Sequence, residues 1–140
     1  MKKITILFLS VLTLGLSVVS CSSDDDENTS IVGKWELIKE GTIISGQEVI
    51  GDVENGTCGG DITEYLADGS FNEQTFFSED SKCESETDKG TYTVKEKTLN
   101  MKYEGDTSGD NSEILELNGS TLKLKYVEGD FVHIYVYKRK

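Results

Sequence analysis

Proline is absent from this chain of 140 residues. Its turns must rely on glycine, asparagine and aspartate, which tolerate the tight backbone that turns require. Histidine occurs once, at His133, so a Ser-His-Asp or Cys-His arrangement would have to be built on that residue. Basic residues are scarce: 14 Lys and Arg face 26 Asp and Glu, for a net charge of −12. Phosphate backbones are held by clustered Lys and Arg, so this balance excludes a nucleic-acid partner. It also excludes a basic face resting on anionic lipid. No glycine-rich phosphate loop precedes a helix, and nucleotide binding has no support. No helical periodicity runs through the chain, and no apolar run reaches the roughly 20 residues of a transmembrane helix.

What is present starts at the N-terminus. Lys2 and Lys3 precede an apolar run from Ile4 to Val19, which ends in Val18-Val19-Ser20-Cys21. A basic start, a short apolar core and a small residue before the cut are the requirements of a secretory signal peptide. The pattern resembles a bacterial lipobox, in which the cysteine is lipidated and becomes the first residue. Residues 1–20 are thus expected to be removed, which takes the net charge to −14. An acyl chain adds about 0.8 kcal/mol per buried methylene, and more than one chain makes a stable anchor. Residues 21–30 hold the lipidated cysteine and Ser-Ser-Asp-Asp-Asp-Glu-Asn-Thr-Ser, without a large apolar side chain. They cannot bury surface to offset ordering entropy and read as a flexible tether. Their acidic run resembles the export signal of surface-exposed lipoproteins of Bacteroidota. The expected location is the outer membrane, lipid-anchored and exposed on the cell surface.

From residue 31 to 140 the pattern changes to short alternating apolar runs separated by turn residues, the signature of an all-β sandwich or barrel. Eight runs are recognisable: Gly33 to Lys39, Ile62 to Ala67, Ser70 to Phe77, Gly90 to Val94, Leu99 to Tyr103, Ile114 to Leu117, Leu122 to Tyr126 and Phe131 to Tyr137. Most connections are very short, which forces antiparallel neighbours. The expected architecture is an eight-stranded antiparallel up-and-down meander closed into a small barrel, which removes exposed edges. Gly41 to Thr57 fits either an extra hairpin or a long loop over one barrel mouth.

Several of these segments carry a family resemblance. They are Ile31-Val32-Gly33-Lys34-Trp35-Glu36-Leu37, Glu64-Tyr65-Leu66-Ala67-Asp68-Gly69-Ser70-Phe71, Gly90-Thr91-Tyr92-Thr93-Val94, Asn118-Gly119-Ser120-Thr121-Leu122 and the closing Val136-Tyr137-Lys138-Arg139. Taken in order, they resemble the lipocalin-like domain of small Bacteroidota lipoproteins. Gly33-x-Trp35 matches the Gly-x-Trp of the first lipocalin strand, and Arg139 is placed like the arginine that packs across that tryptophan. The resemblance implies that Trp35 plugs one barrel end. A guanidinium over its face adds about 0.5–2 kcal/mol. The Thr-Asp-Tyr motif of larger lipocalins is not evident.

Once Cys21 is reserved for lipid, Cys58 and Cys83 remain. Outside the cytoplasm disulfides persist, and the hairpin around Asp68-Gly69 brings both cysteines to its open end. A disulfide is expected there, stabilising by roughly 3.5 kcal/mol in the loop-entropy model. A redox role lacks Cys-x-x-Cys, and a metal site lacks histidine partners. Asp106-x-Ser108-x-Asp110 with Glu113 reads as a polar loop, because position twelve from Asp106 is Leu117 where a calcium loop needs glutamate. His133, flanked at strand spacing by Phe131, Tyr135 and Tyr137, reads as a packed or rim residue. The Asn-x-Ser/Thr matches at Asn28, Asn55 and Asn118 read as turn or linker chemistry.

No catalytic residue, cofactor or metal is implied, and no enzymatic activity is expected. The barrel interior decides between two functions. The aromatic set Phe131, His133, Tyr135 and Tyr137 alternates with Val132, Ile134 and Val136, and parity leaves open which set faces inward. An aromatic, hydroxyl-bearing interior suits a small apolar or amphipathic ligand. A filled core suits an interaction module that meets an envelope or host protein through its loops. The short strands favour a mostly filled core. Substitution Cys21→Ala is expected to move the protein from the membrane fraction to the soluble fraction, read by immunoblot of fractionated cells.

Overall fold

The computed structural model describes residues 29–140. The expected signal peptide, Cys21 and the tether through residue 28 lie outside the described residues. Nine strands form a single antiparallel sheet: β1 (Gly33–Ile44), β2 (Gln47–Asp52), β3 (Ile62–Tyr65), β4 (Ser70–Glu79), β5 (Lys82–Lys95), β6 (Thr98–Tyr103), β7 (Asp110–Leu117), β8 (Thr121–Glu128) and β9 (Phe131–Arg139). β3 to β9 pair in sequence order, and β1 pairs with both β3 and β9. Those eight strands close into a barrel. The β1–β9 seam runs from Trp35↔Arg139 to Thr42↔His133.

Alternation explains why these residues form these strands. On β8, Leu122 and Leu124 are buried inside the barrel. Their neighbours Lys123 and Lys125 turn outward to Glu48 and Glu113, at 2.6 and 3.0 Å. The same period of two buries Thr63 and Tyr65 on β3. One end of the barrel is packed solid by Trp35, Phe71, Leu99 and Leu122, all fully buried. Full burial of each such side chain is worth about 1.5–3 kcal/mol. Phe71 meets Tyr103 edge-on, with ring centroids 5.1 Å apart.

Trp35 closes this end. Its indole N–H donates to the Ile31 carbonyl at 2.7 Å, which folds the incoming chain across the barrel floor. The Arg139 guanidinium lies 4.2 Å from the centre of the indole ring. Its Nη1 and Nη2 donate to the carbonyls of Val32 and Ser30, at 2.9 and 2.8 Å. Arg139 therefore ties the last strand to Trp35 on β1 and to the segment that enters it. Gly33 makes room for this clamp: its φ is +131°, and a Cβ there would sit 2.6 Å from Arg139 Nη1.

Two features extend the expected eight strands. Residues 41–57 contain the hairpin alternative, as β1 continues to Ile44 and returns as β2. The hairpin lies on the outside of the barrel. Glu48 on β2 reaches Lys123 on β8, the strand beyond β9, and the Val49 carbonyl oxygen occupies the space that a Cβ on Gly41 would need, only 2.0 Å away. Ile134, outward on β9 and paired with Gly41, is consequently fully buried. The second feature is β5, which starts at Lys82 rather than Gly90. Residues 82–89 are exposed and, apart from Cys83, charged or polar, so no apolar alternation marks them. They are strand because β4 supplies a complete ladder down to Glu79↔Lys82. Asp80 and Ser81 take φ of 48° and 65° at the turn, matching the right-handed twist of a two-residue hairpin.

Cys58, in the connection from β2 to β3, forms a disulfide with Cys83 on β5, with Cα atoms 5.4 Å apart. The bond fastens that connection to the β4–β5 hairpin at the barrel end opposite Trp35. Asn55 reinforces it, its amide donating to the Gly59 and Phe76 carbonyls, both at 2.7 Å. At the other end, Arg139→Ala is expected to lower unfolding free energy by about 1–3 kcal/mol, from the lost ring contact and two charged hydrogen bonds. Urea unfolding monitored by Trp35 fluorescence reads this difference.

Candidate functional site

The half of the barrel remote from Trp35 is not filled. A cavity of about 410 Å³ lies there, in place of the mostly filled core that short strands suggested. The reason is side-chain type: the inward positions of this half carry polar aromatics and acids, which hold each other apart where aliphatic side chains would interlock.

Each wall follows from strand register. Thr63 on β3 opposes Glu73 on β4. Met101 and Tyr103 project inward from β6, Leu124 and Tyr126 from β8, Tyr135 and Tyr137 from β9. On β9, Tyr135 and Tyr137 therefore face the interior and the aliphatic set faces out, while Phe131 at the start of the strand is exposed. β1 contributes Leu37 and then Glu40. Uninterrupted alternation from Trp35 and Leu37 would have turned Lys39 inward. A bulge between Leu37 and Lys39 shifts the register by one. Lys39 points out and pairs with Asp52 at 3.3 Å, and Glu40 takes its place in the wall. One extra residue in a strand thus sets the sign of charge at this wall.

At the centre stands Glu73. Tyr103 donates a hydrogen bond to Glu73 Oε2, and the Thr63 hydroxyl reaches Oε1 at 3.5 Å. Burial pushes the Glu73 carboxyl above its ordinary value, and the negative charges of Asp61 and Asp88 add to the rise, against the opposing hydrogen bond from Tyr103. The surrounding phenols are held neutral. Burial is the main cause for Tyr65, Tyr103 and Tyr137, and Glu73 raises all three further. The Tyr65 hydroxyl is engaged with Met101 Sδ at 3.2 Å. The hydroxyls of Tyr126, Tyr135 and Tyr137 have no hydrogen-bond partner among the described residues, so they are available to a guest.

Tyr135 and Tyr137, weighed from sequence as possible interior residues, line this cavity, while the motif, cysteine and histidine positions lie around it. Gly33, Trp35 and Arg139 build the closed end. Cys58 and Cys83 brace the opposite end. His133 stacks on Tyr135, with centroids 6.1 Å apart and planes 7° from parallel. Of the polar loop, only Asp110 lines the cavity. Among the described residues, no three His, Cys, Asp or Glu side chains come close enough to share a metal ion. Glu73, Tyr103 and Thr63 were not singled out, because a polar residue on a strand reads as outward-facing. One signal was available: Arg139, Tyr137 and Tyr135 share a strand face, so an arginine over Trp35 implies an inward tyrosine set.

The model of the lipocalin-like domain family matches residues 31–124. The fold resembles an uncharacterised protein from Bacteroides eggerthii, at a TM-score of 0.58 and 18% identity over 79% of this chain and 100% of that one. It also resembles a lipocalin-like protein from Bacteroides uniformis, at 0.57 and 17% over 78% and 97%. Japanin from Rhipicephalus appendiculatus, solved with cholesterol bound, is similar at 0.50 and 11% over 77% and 74%. A search of curated proteins returned no match.

Glu73 makes stability depend on pH. Its folded-state value lies above the ordinary 4.5, so folding favours the neutral form. The stability it contributes is complete below 4.5 and is lost as pH rises through the folded-state value. Glu73→Gln, permanently neutral and still able to accept from Tyr103, is expected to melt above the unsubstituted protein at pH 7. The gap should close as pH falls to about 4.5, in thermal melts across a pH series.

Proposed function

The chain belongs to the lipocalin-like domain family, and from that premise we propose that it holds a small amphipathic molecule in the barrel. The cavity carries this reading. Its volume of about 410 Å³ falls within the usual range for small-molecule sites. Its walls combine ring faces and aliphatic carbons with unengaged phenol hydroxyls, an apolar body with a few polar contacts. Such a site orients a guest that is part hydrocarbon and part polar. The interaction-module reading required a filled interior, and the cavity weighs against it.

In this proposal the protein is held at the outer membrane by lipid on Cys21, with residues 22–30 as tether. The described chain enters the barrel at Ile31, against Trp35. A tether arriving there would meet the closed end and leave the cavity end facing away from the membrane. The protein would then take its guest from the surrounding medium rather than from the bilayer beneath it.

N-phenyl-1-naphthylamine, a neutral probe that brightens in apolar surroundings, tests the cavity. One saturable site is expected in the unsubstituted protein. Ser112 lines the cavity from β7 with little bulk of its own. Ser112→Trp should fill the space and abolish saturable binding while circular dichroism stays unchanged. Absence of saturable binding in the unsubstituted protein, or its survival in Ser112→Trp, would overturn the reading.

A further inference from the structure

The charge of the cavity walls narrows the class of guest; this inference rests on the binding function proposed above. Glu40, Asp61, Glu73 and Asp110 all line the cavity, and no lysine, arginine or histidine does. Five ion pairs occur among the described residues, and none includes any of these four carboxylates. Among the described residues, the hydrogen-bond donors to these carboxylates are neutral: Tyr103 and Thr63 on Glu73, and the Phe76 amide, which donates to Asp61 Oδ1 at 2.9 Å. Among the described residues, lysines of the barrel meet carboxylates only outside the cavity, as at Lys123–Glu48 and Lys125–Glu113. Its interior leaves negative charge uncompensated.

A second feature points the same way. Tyr65, Tyr103, Tyr126, Tyr135 and Tyr137 surround the same space. Aromatic faces attract cations through the ring quadrupole, more strongly where water is displaced, and arrangements of several rings recognise quaternary ammonium groups. Tyr137 sits deep inside the barrel with a hydroxyl that has no hydrogen-bond partner among the described residues, and burial keeps that hydroxyl neutral.

We propose that the cavity binds organic cations: an ammonium or other cationic nitrogen group on an apolar body, with the charge set among Glu73, Asp61 and the tyrosine rings. Other guest classes fit less well. A fatty-acid carboxylate would be desolvated beside four carboxylates with no cation to pair it. A purely apolar guest would strip water from those acids and from the phenol hydroxyls and return no hydrogen bond. A bare metal ion finds no three ligating side chains in reach among the described residues. The acids are spread around the wall rather than gathered at a point, which suits an extended molecule with one charged end.

Displacement of N-phenyl-1-naphthylamine by three octyl compounds tests the charge rule with the tail held constant: octyltrimethylammonium, 1-octanol and octanoate. Octyltrimethylammonium should displace the probe at about one-tenth of the concentration that 1-octanol needs, with octanoate weakest. Glu73→Gln and Asp61→Asn should each weaken the ammonium about tenfold and change 1-octanol by less than about twofold. Glu96→Gln, an equal change in net charge on the exposed β5–β6 turn, should leave all three unchanged. Octanoate or 1-octanol displacing as well as the ammonium would overturn the cation inference and leave the cavity reading standing. So would an ammonium preference that survives both cavity substitutions or is lost equally in Glu96→Gln. Failure of the naphthylamine probe itself to bind would overturn both.

Discussion

Everything in this protein hangs on the seam between its first and last strands. An open eight-stranded sheet of this length would expose two edges and one whole apolar face. Pairing β1 with β9 removes both edges and creates an inside. The seam is fixed at its base by Arg139, the only arginine in the chain. It covers the indole of Trp35 and holds two carbonyls of the entering segment. The contact spans nearly the full length of the domain in sequence. The entropy of closing so long a loop must therefore be offset by contacts made together, and Trp35, Phe71, Leu99 and Leu122 supply them at the same end.

Concentrating the apolar packing at one end leaves the other free to be something else. The cavity half is built from residues that would be costly in a small core: Glu73, Thr63, Tyr103 and their neighbours. It is stabilised by different means. The Cys58–Cys83 bond and the Asn55 amide tie the β2–β3 connection to the β4–β5 hairpin. The β1–β2 hairpin is folded against the outside wall, with Gly41 stripped of a side chain to let it lie close. Bracing from outside lets the interior remain open. Stability and the proposed binding are thus assigned to different halves of one barrel, and substitutions in one half should be separable from those in the other.

Charge is partitioned in the same spirit. The five ion pairs among the described residues lie outside the cavity, while the interior acids have only neutral donors. The β1 bulge is the local device behind part of this. It turns Lys39 out to Asp52 and brings Glu40 in. A lysine in that position would have put a positive charge among the carboxylates of the cavity wall.

Much of the fold was legible before any coordinates. Strict alternation in Leu122-Lys123-Leu124-Lys125-Tyr126, turn chemistry at Asp68-Gly69 and Asn118-Gly119, and short connections together dictate an antiparallel meander, because a period of two admits only one face to the core. Local sequence also supplied Gly33-x-Trp35 and two cysteines at one end of a hairpin. Tertiary structure alone decided the rest. Residues 82–89 are strand only because β4 lies beside them. Residues 41–52 cover Ile134 only because the barrel offers that outer surface. Glu73 and Thr63 become interior groups only when the sheet closes, for polarity along a strand does not say which side will be enclosed. The bulge that selects Glu40 over Lys39 arises from matching β1 to β9, two segments whose relative register is a property of the closed barrel and of neither strand alone.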